Sequence, residues 1–139
     1  MKPAVVIVPG NFSLPRFWST IQQSVKDKGY PVEVVRLKSS REETIDPAPG
    51  LADDVKEASS VLHKHIDQGK DVVLLMHSYG GMVGTEATRG LARVDREKSG
   101  LKGGITHLVF LASIFAPPGK STRGLYEANP GRYPRREAS

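Results

Sequence analysis

Cysteine is absent from the 139 residues, which excludes disulfide scaffolds, thiolate zinc sites and cysteine nucleophiles. That composition suits a reducing compartment. Long apolar runs are missing too. The longest, around residues 4–8 and 72–76, fall far short of the ~20 residues a spanning helix needs, so no membrane partner is expected. The first run follows Lys2 and stops at Pro9-Gly10 with no small-residue cleavage pattern, so it does not read as a signal peptide, and the expected location is cytoplasmic. No internal repeat is visible. Gly80, Gly81 and Gly84 lack the spacing of a dinucleotide fingerprint. Gly119-Lys120-Ser121 resembles the end of a phosphate loop, but Ile114 stands where its first Gly belongs. Pro117 and Pro118 also remove two backbone donors there. No cofactor and no metal is expected.

A surplus of one charge sign is largely missing from the body of the chain. The net charge is +5, from 20 Lys and Arg against 15 Asp and Glu. Residues 1–112 carry 15 basic and 13 acidic residues, a net of +2, and residues 113–139 carry the remaining +3. Interspersed signs with a short basic tail give no basic stripe, so no specific nucleic-acid partner is expected.

What is present has a regular order. Length and an ordinary apolar share predict one globular domain with a real core. Residues 4–8 form a β-branched run closed by Pro9-Gly10, which reads as a buried strand. Residues 15–28 carry Phe17, Ile21 and Val25 at helical spacing before Gly29. Residues 31–37 read as a second strand and residues 38–50, with Pro47 and Pro49, as a loop. Residues 51–68 place Leu51, Val55, Ala58, Leu62 and Ile66 on one helix face. The unbroken run 71–76 predicts a strand buried on both faces. Residues 79–94 have helical register and residues 107–112 form a fourth strand. This β-α-β-α-β-α-β order predicts an α/β fold with a parallel sheet. Residues 116–139 hold four Pro and three Gly without periodicity, and predict an irregular tail.

One segment carries chemistry. In Met76-His77-Ser78-Tyr79-Gly80-Gly81 a serine sits at the junction of an apolar strand and an amphipathic helix. That is the setting of a nucleophile elbow, where a sharp turn lifts the hydroxyl off the sheet. Small residues are needed where strand and helix approach, and Gly80 and Gly81 answer that need. The new helix aims its N–H groups at the place where negative charge develops in acyl transfer. A serine in an ordinary glycine-rich turn is the bland alternative, and the full strand–turn–helix context favours the elbow.

At these residues the chain resembles the α/β-hydrolase family, and most of all the small esterase branch with plant methylesterases and hydroxynitrile lyases. Val6-Ile7-Val8-Pro9-Gly10-Asn11-Phe12, followed by Phe17-Trp18, resembles the first core strand and oxyanion loop. The elbow follows, and residues 107–113 with Pro117-Pro118-Gly119 resemble the next strand and the entrance to the lid region. The resemblance implies that Ser78 is the nucleophile and that the backbone N–H groups of Tyr79 and Asn11 form the oxyanion hole. It places Phe12, Ser113 and Phe115 near a small ester substrate. It implies residues 1–115 as the N-terminal part of an α/β-hydrolase domain, a truncated fold of about four parallel strands and three main helices, with 116–139 as a basic tail.

Two departures stand out: Met76 occupies the place of the usual Gly, which should strain the strand–helix approach, and Pro9 replaces a common His. The family order is Ser, acid, His, yet the histidines are His63, His65, His77 and His107, none after residue 107. The turn should send the His77 side chain away from Ser78, and His107 reads as structural. His63 and His65 diverge on their helix and read as a solvated face rather than a metal pair. A serine without a base is a poor nucleophile. The expected function is therefore a serine hydrolase of small esters, impaired in this form. The alternative is an inactive binding or interaction module, with self-association through an apolar edge at residues 107–112.

Overall fold

The computed structural model describes residues 1–128. The rest of the expected tail, including Arg132, Arg135, Arg136 and Glu137, lies outside the described residues. Four strands form one parallel sheet in the order β2-β1-β3-β4: β1 Ala4–Val8, β2 Val32–Val34, β3 Asp71–His77 and β4 Gly104–Leu111. β1 lies between β2 and β3, with Val6 opposite both Glu33 and Leu74. The α/β class and parallel sheet expected from the sequence are thus present.

The helices are α1 Ser19–Asp27, α2 Leu51–Ile66, α3 Gly80–Ala87, α4 Arg93–Lys98 and α5 Thr122–Ala128. One face of the sheet is sealed by α2 and α3, where Val6, Val8, Val72, Leu74 and Met76 pack on Ala58, Leu62, Ile66, Val83 and Ala87. Burying each large aliphatic side chain contributes about 1.5–3 kcal/mol, so this layer holds the sheet's centre rigid beneath the elbow. The other face has a smaller cluster of Ile7, Trp18 and Val34.

Several expectations are corrected. β3 is not buried on both faces: Val72, Leu74 and Met76 are sealed, whereas Val73, Leu75 and His77 on the other face are only partly covered. Helix α1 buries no residue, and Phe17 and Ile21 are exposed. A 3-10 turn over Pro15–Trp18 precedes it and turns Trp18 inward instead, where its indole N–H donates to Ser13 Oγ at 3.0 Å. The helix expected over 79–94 is two helices, because Gly90 with φ +73° ends the first. Leu91 is then buried and its carbonyl accepts from Ile105 N–H at 2.8 Å. β4 begins earlier than its apolar run suggests. A register shift between Val72 and Val73 lets Thr106 donate to the Val72 carbonyl. Within the expected tail, residues 122–128 are helical. Among the described residues, no helix is long and apolar enough to cross a membrane.

Candidate active site

Ser78 leaves the C-terminal end of β3 with φ +51°. A left-handed conformation is costly for a residue with a side chain and is held only when its surroundings over-determine it. Here they do. Ser78 N–H donates to the Ala112 carbonyl at 3.2 Å, and the Ser78 carbonyl accepts from Ile114 N–H at 2.9 Å and Gly81 N–H at 3.0 Å. Ser113 Oγ adds a longer contact to the same carbonyl, 3.4 Å. The chain leaving β4 therefore clamps the turn leaving β3.

The two glycines after Tyr79 make the approach feasible. A Cβ on Gly80 would collide with the carbonyls of Val8 and Pro9, and one on Gly81 with the Ile114 carbonyl and Ser113 Oγ. Helix α3 thereby starts directly against the end of β1. On the other side Gly10 touches Ser78, with only 3.0 Å between a Cβ built there and the Ser78 Cβ. The loop of Gly10 and Asn11 and the turn of Ser78 and Tyr79 thus lie side by side. Neither the Asn11 nor the Tyr79 amide donates to another group among the described residues.

The Tyr79 side chain turns away into the protein. Its hydroxyl donates to Asp54 Oδ2 at 3.0 Å. Asp54 is fully buried and also accepts from Ser39 N–H at 2.9 Å and Ser39 Oγ at 2.5 Å. Burial, and then the hydrogen bond to Asp54 and its charge, push the Tyr79 phenol above its ordinary range. Asp54 and Ser39 are residues that sequence reasoning passed over. A signal for Asp54 existed: it stands four residues before Ala58 and eight before Leu62, an acid on an otherwise apolar helix stripe.

The other expected positions divide. Phe12, with φ +59°, is 87% exposed, and its N–H donates to Ser40 Oγ at 3.0 Å. Phe115 is exposed and lies tilted against Phe110, with 5.5 Å between ring centres. Ser113 is half-buried beneath the elbow. No histidine hydrogen-bonds Ser78. His63 pairs with Asp67, His107 Nδ1 lies 3.0 Å from Thr106 Oγ1, and His77 meets Trp18 edge-on at 5.6 Å. His65 corrects the reading of a solvated face: it is buried, with Nε2 2.9 Å from Glu33 Oε2.

A family model described as "Alpha/beta hydrolase family" matches residues 5–138. The chain is 32% identical over 127 residues to "Alpha/beta hydrolase nvfD" of Aspergillus novofumigatus (strain IBT 16806), covering 91% of this chain and 49% of that protein. It is 28% identical over 120 residues to "Probable hydrolase R7" of Phoma sp. (strain ATCC 20986 / MF5453), covering 86% of this chain and 46% of that one. Among solved structures it is similar to polyneuridine aldehyde esterase, with a TM-score of 0.69 at 22% identity over 96% of this chain and 49% of that one. Tomato methylketone synthase I, complexed with 2-tridecanone, superposes with a TM-score of 0.66 at 19% identity, covering 99% of this chain and 50% of that one. The chain thus spans about half the length of the relatives it matches. With the parallel sheet, the strand–Ser78–helix turn and a family match across nearly its whole length, this chain belongs to the alpha/beta hydrolase family.

Proposed function

We propose that the chain carries the nucleophile and oxyanion side of a serine hydrolase that acts on a small carboxylic ester. The observation that carries this reading is the positive φ of Ser78 at the β3–α3 junction, packed where only glycines fit. Ser78 Oγ attacks the ester carbonyl, and the N–H groups of Asn11 and Tyr79 receive the oxyanion, with the dipole of α3 behind Tyr79. The alcohol leaves, and water hydrolyses the acyl-enzyme. Phe12, Ser113 and Phe115 border the substrate side of this arrangement. An esterase and a protein bound to a long-chain ketone among the structural neighbours support an apolar carbonyl substrate.

Ser78 must lose a proton, and none of the four histidines hydrogen-bonds it among the described residues, so the proton passes to solvent water and the leaving alkoxide takes one from water. Turnover of this 139-residue chain is therefore expected to be lower by roughly 10⁴ to 10⁶ than that of a complete Ser–His–acid site. That same observation favours a second reading, an inactive binding module. A fluorophosphonate probe separates the two. Covalent labelling of the wild-type chain that is lost in Ser78→Ala supports the hydrolase. A folded wild-type chain that takes no label supports the binding module.

A further inference from the structure

The two amides assigned to the oxyanion lie on separate loops, one after β1 and one after β3, and a single hydrogen-bonded chain joins those loops. Tyr79 Oη donates to Asp54. Asp54 accepts from the amide and the hydroxyl of Ser39. The next residue, Ser40, is buried and its Oγ accepts from the N–H of Phe12, the neighbour of Asn11. Asp54 has no cationic partner among the described residues, since the nearby Lys38 pairs with Asp53 instead. Three neutral donors hold a fully buried carboxyl group, an arrangement that stability alone does not favour over an apolar residue of similar size.

We propose that Asp54, Ser39 and Ser40 are positioning residues that fix the spacing of the Asn11 and Tyr79 amides, a role resting on the assignment of Ser78 as nucleophile. The strut works by geometry. Tyr79 cannot swing without pulling on Asp54, and the turn over Lys38–Ser40 that holds Asp54 also holds Phe12. Oxyanion donors must be held within about 0.5 Å of their productive positions to be effective, so a shared anchor sets both at once. Lys38–Ser40 lies in sequence far from either loop, and its contribution is visible only in the folded chain.

Tyr79→Phe and Ser40→Ala each remove one hydroxyl at opposite ends of the strut and preserve the packing between. The whole 139-residue chain is used, with folding checked by circular dichroism. Two readouts apply: the rate of fluorophosphonate labelling at Ser78, and amide hydrogen exchange at residues 10–13 and 78–81. The expected result is labelling at least tenfold slower in both variants, with exchange rising in both loops whichever end is cut. Wild-type labelling rates in the folded variants, or exchange that rises only in the loop that was cut, overturn the strut. If the wild-type chain itself takes no label, the nucleophile assignment falls, and exchange alone decides whether the two loops are coupled.

Discussion

The Met76 side chain fills the space that a side chain on Gly84 would need. A Cβ built on Gly84 comes within 2.5 Å of Met76 Sδ and 2.6 Å of its Cγ, and Met76 is fully buried. The larger residue at the place of the usual elbow Gly is therefore accommodated one turn into α3, and the expected strain is relieved. The prediction is a change of sign. In the wild-type background Gly84→Ala should destabilise, because overpacking of about 1–3 kcal/mol outweighs about 1 kcal/mol of gained helix propensity. Met76→Ala alone should cost about 2–5 kcal/mol. With Met76→Ala in place, Gly84→Ala should become stabilising, since the clash is gone. Urea midpoints of the four chains close the cycle, and a cost of Gly84→Ala unchanged by Met76→Ala would sink the idea.

Much of this was legible in the sequence because it depends on local chemistry. The β-branched strands, the glycines after Ser78 and the helix stripe of Ala58, Leu62 and Ile66 declare themselves by period and by size. What the sequence did not show depends on distant partners. Met76 read as a defect because Gly84, eight residues on, is its complement only when both lie on one face. Asp54 drew no notice because Ser39 and Tyr79 meet it only after folding. His65 read as solvated because Glu33, on β2, reaches it across the sheet edge. The break at Gly90 was hidden because Ala87 and Leu91 continue the helical spacing on either side of it.

The conformation of Ser78 leads to a prediction about stability. Its φ of +51° is one that glycine adopts without penalty and that costs an L-residue roughly 1–2 kcal/mol. Ser78→Gly should therefore be more stable than Ser78→Ala by about 1 kcal/mol, although neither variant has a hydroxyl. Thermal or urea unfolding of the pair measures it. Equal stabilities would mean that the turn is not strained.

The Glu33 cluster carries a pH dependence of known sign. Partial burial alone would raise the Glu33 carboxyl, but hydrogen bonds from Lys64 and His65 outweigh it and hold the group below its ordinary value of 4.5. A lowered folded pKa means that the contribution is fully present above pH 4.5 and fades as the pH falls through the lower folded value. Glu33→Gln should thus be less stable than wild type near neutrality, with a gap that narrows on acidification. Unfolding midpoints compared near neutral pH and below 4 provide the check, and a gap that widens in acid would contradict the assignment.

Among the described residues β4 pairs with one strand, β3, and its other edge meets Ala92 in a single bridge at Ile105, before the run 107–111. Leu108, Val109, Phe110 and Leu111 are each between 41% and 47% exposed, and since successive side chains alternate, both faces of the strand are open. Beside it a groove of about 500 Å³ runs between α4 and β4, lined by Ala92, Val94, Ile105 and Leu108 among others. An unpaired ladder of backbone donors and acceptors flanked by apolar side chains is a template for another strand. A second copy of β4 offers the same ladder, so antiparallel pairing of two copies across a two-fold axis satisfies both. The chain is expected to self-associate with rising concentration, and Val109→Lys with Phe110→Lys should suppress this by placing a charge on each face of the strand. Sedimentation velocity across a wide dilution series reads the outcome. A wild-type chain that stays monomeric, or a doubly substituted one that associates equally well, would place any contact between copies elsewhere than β4.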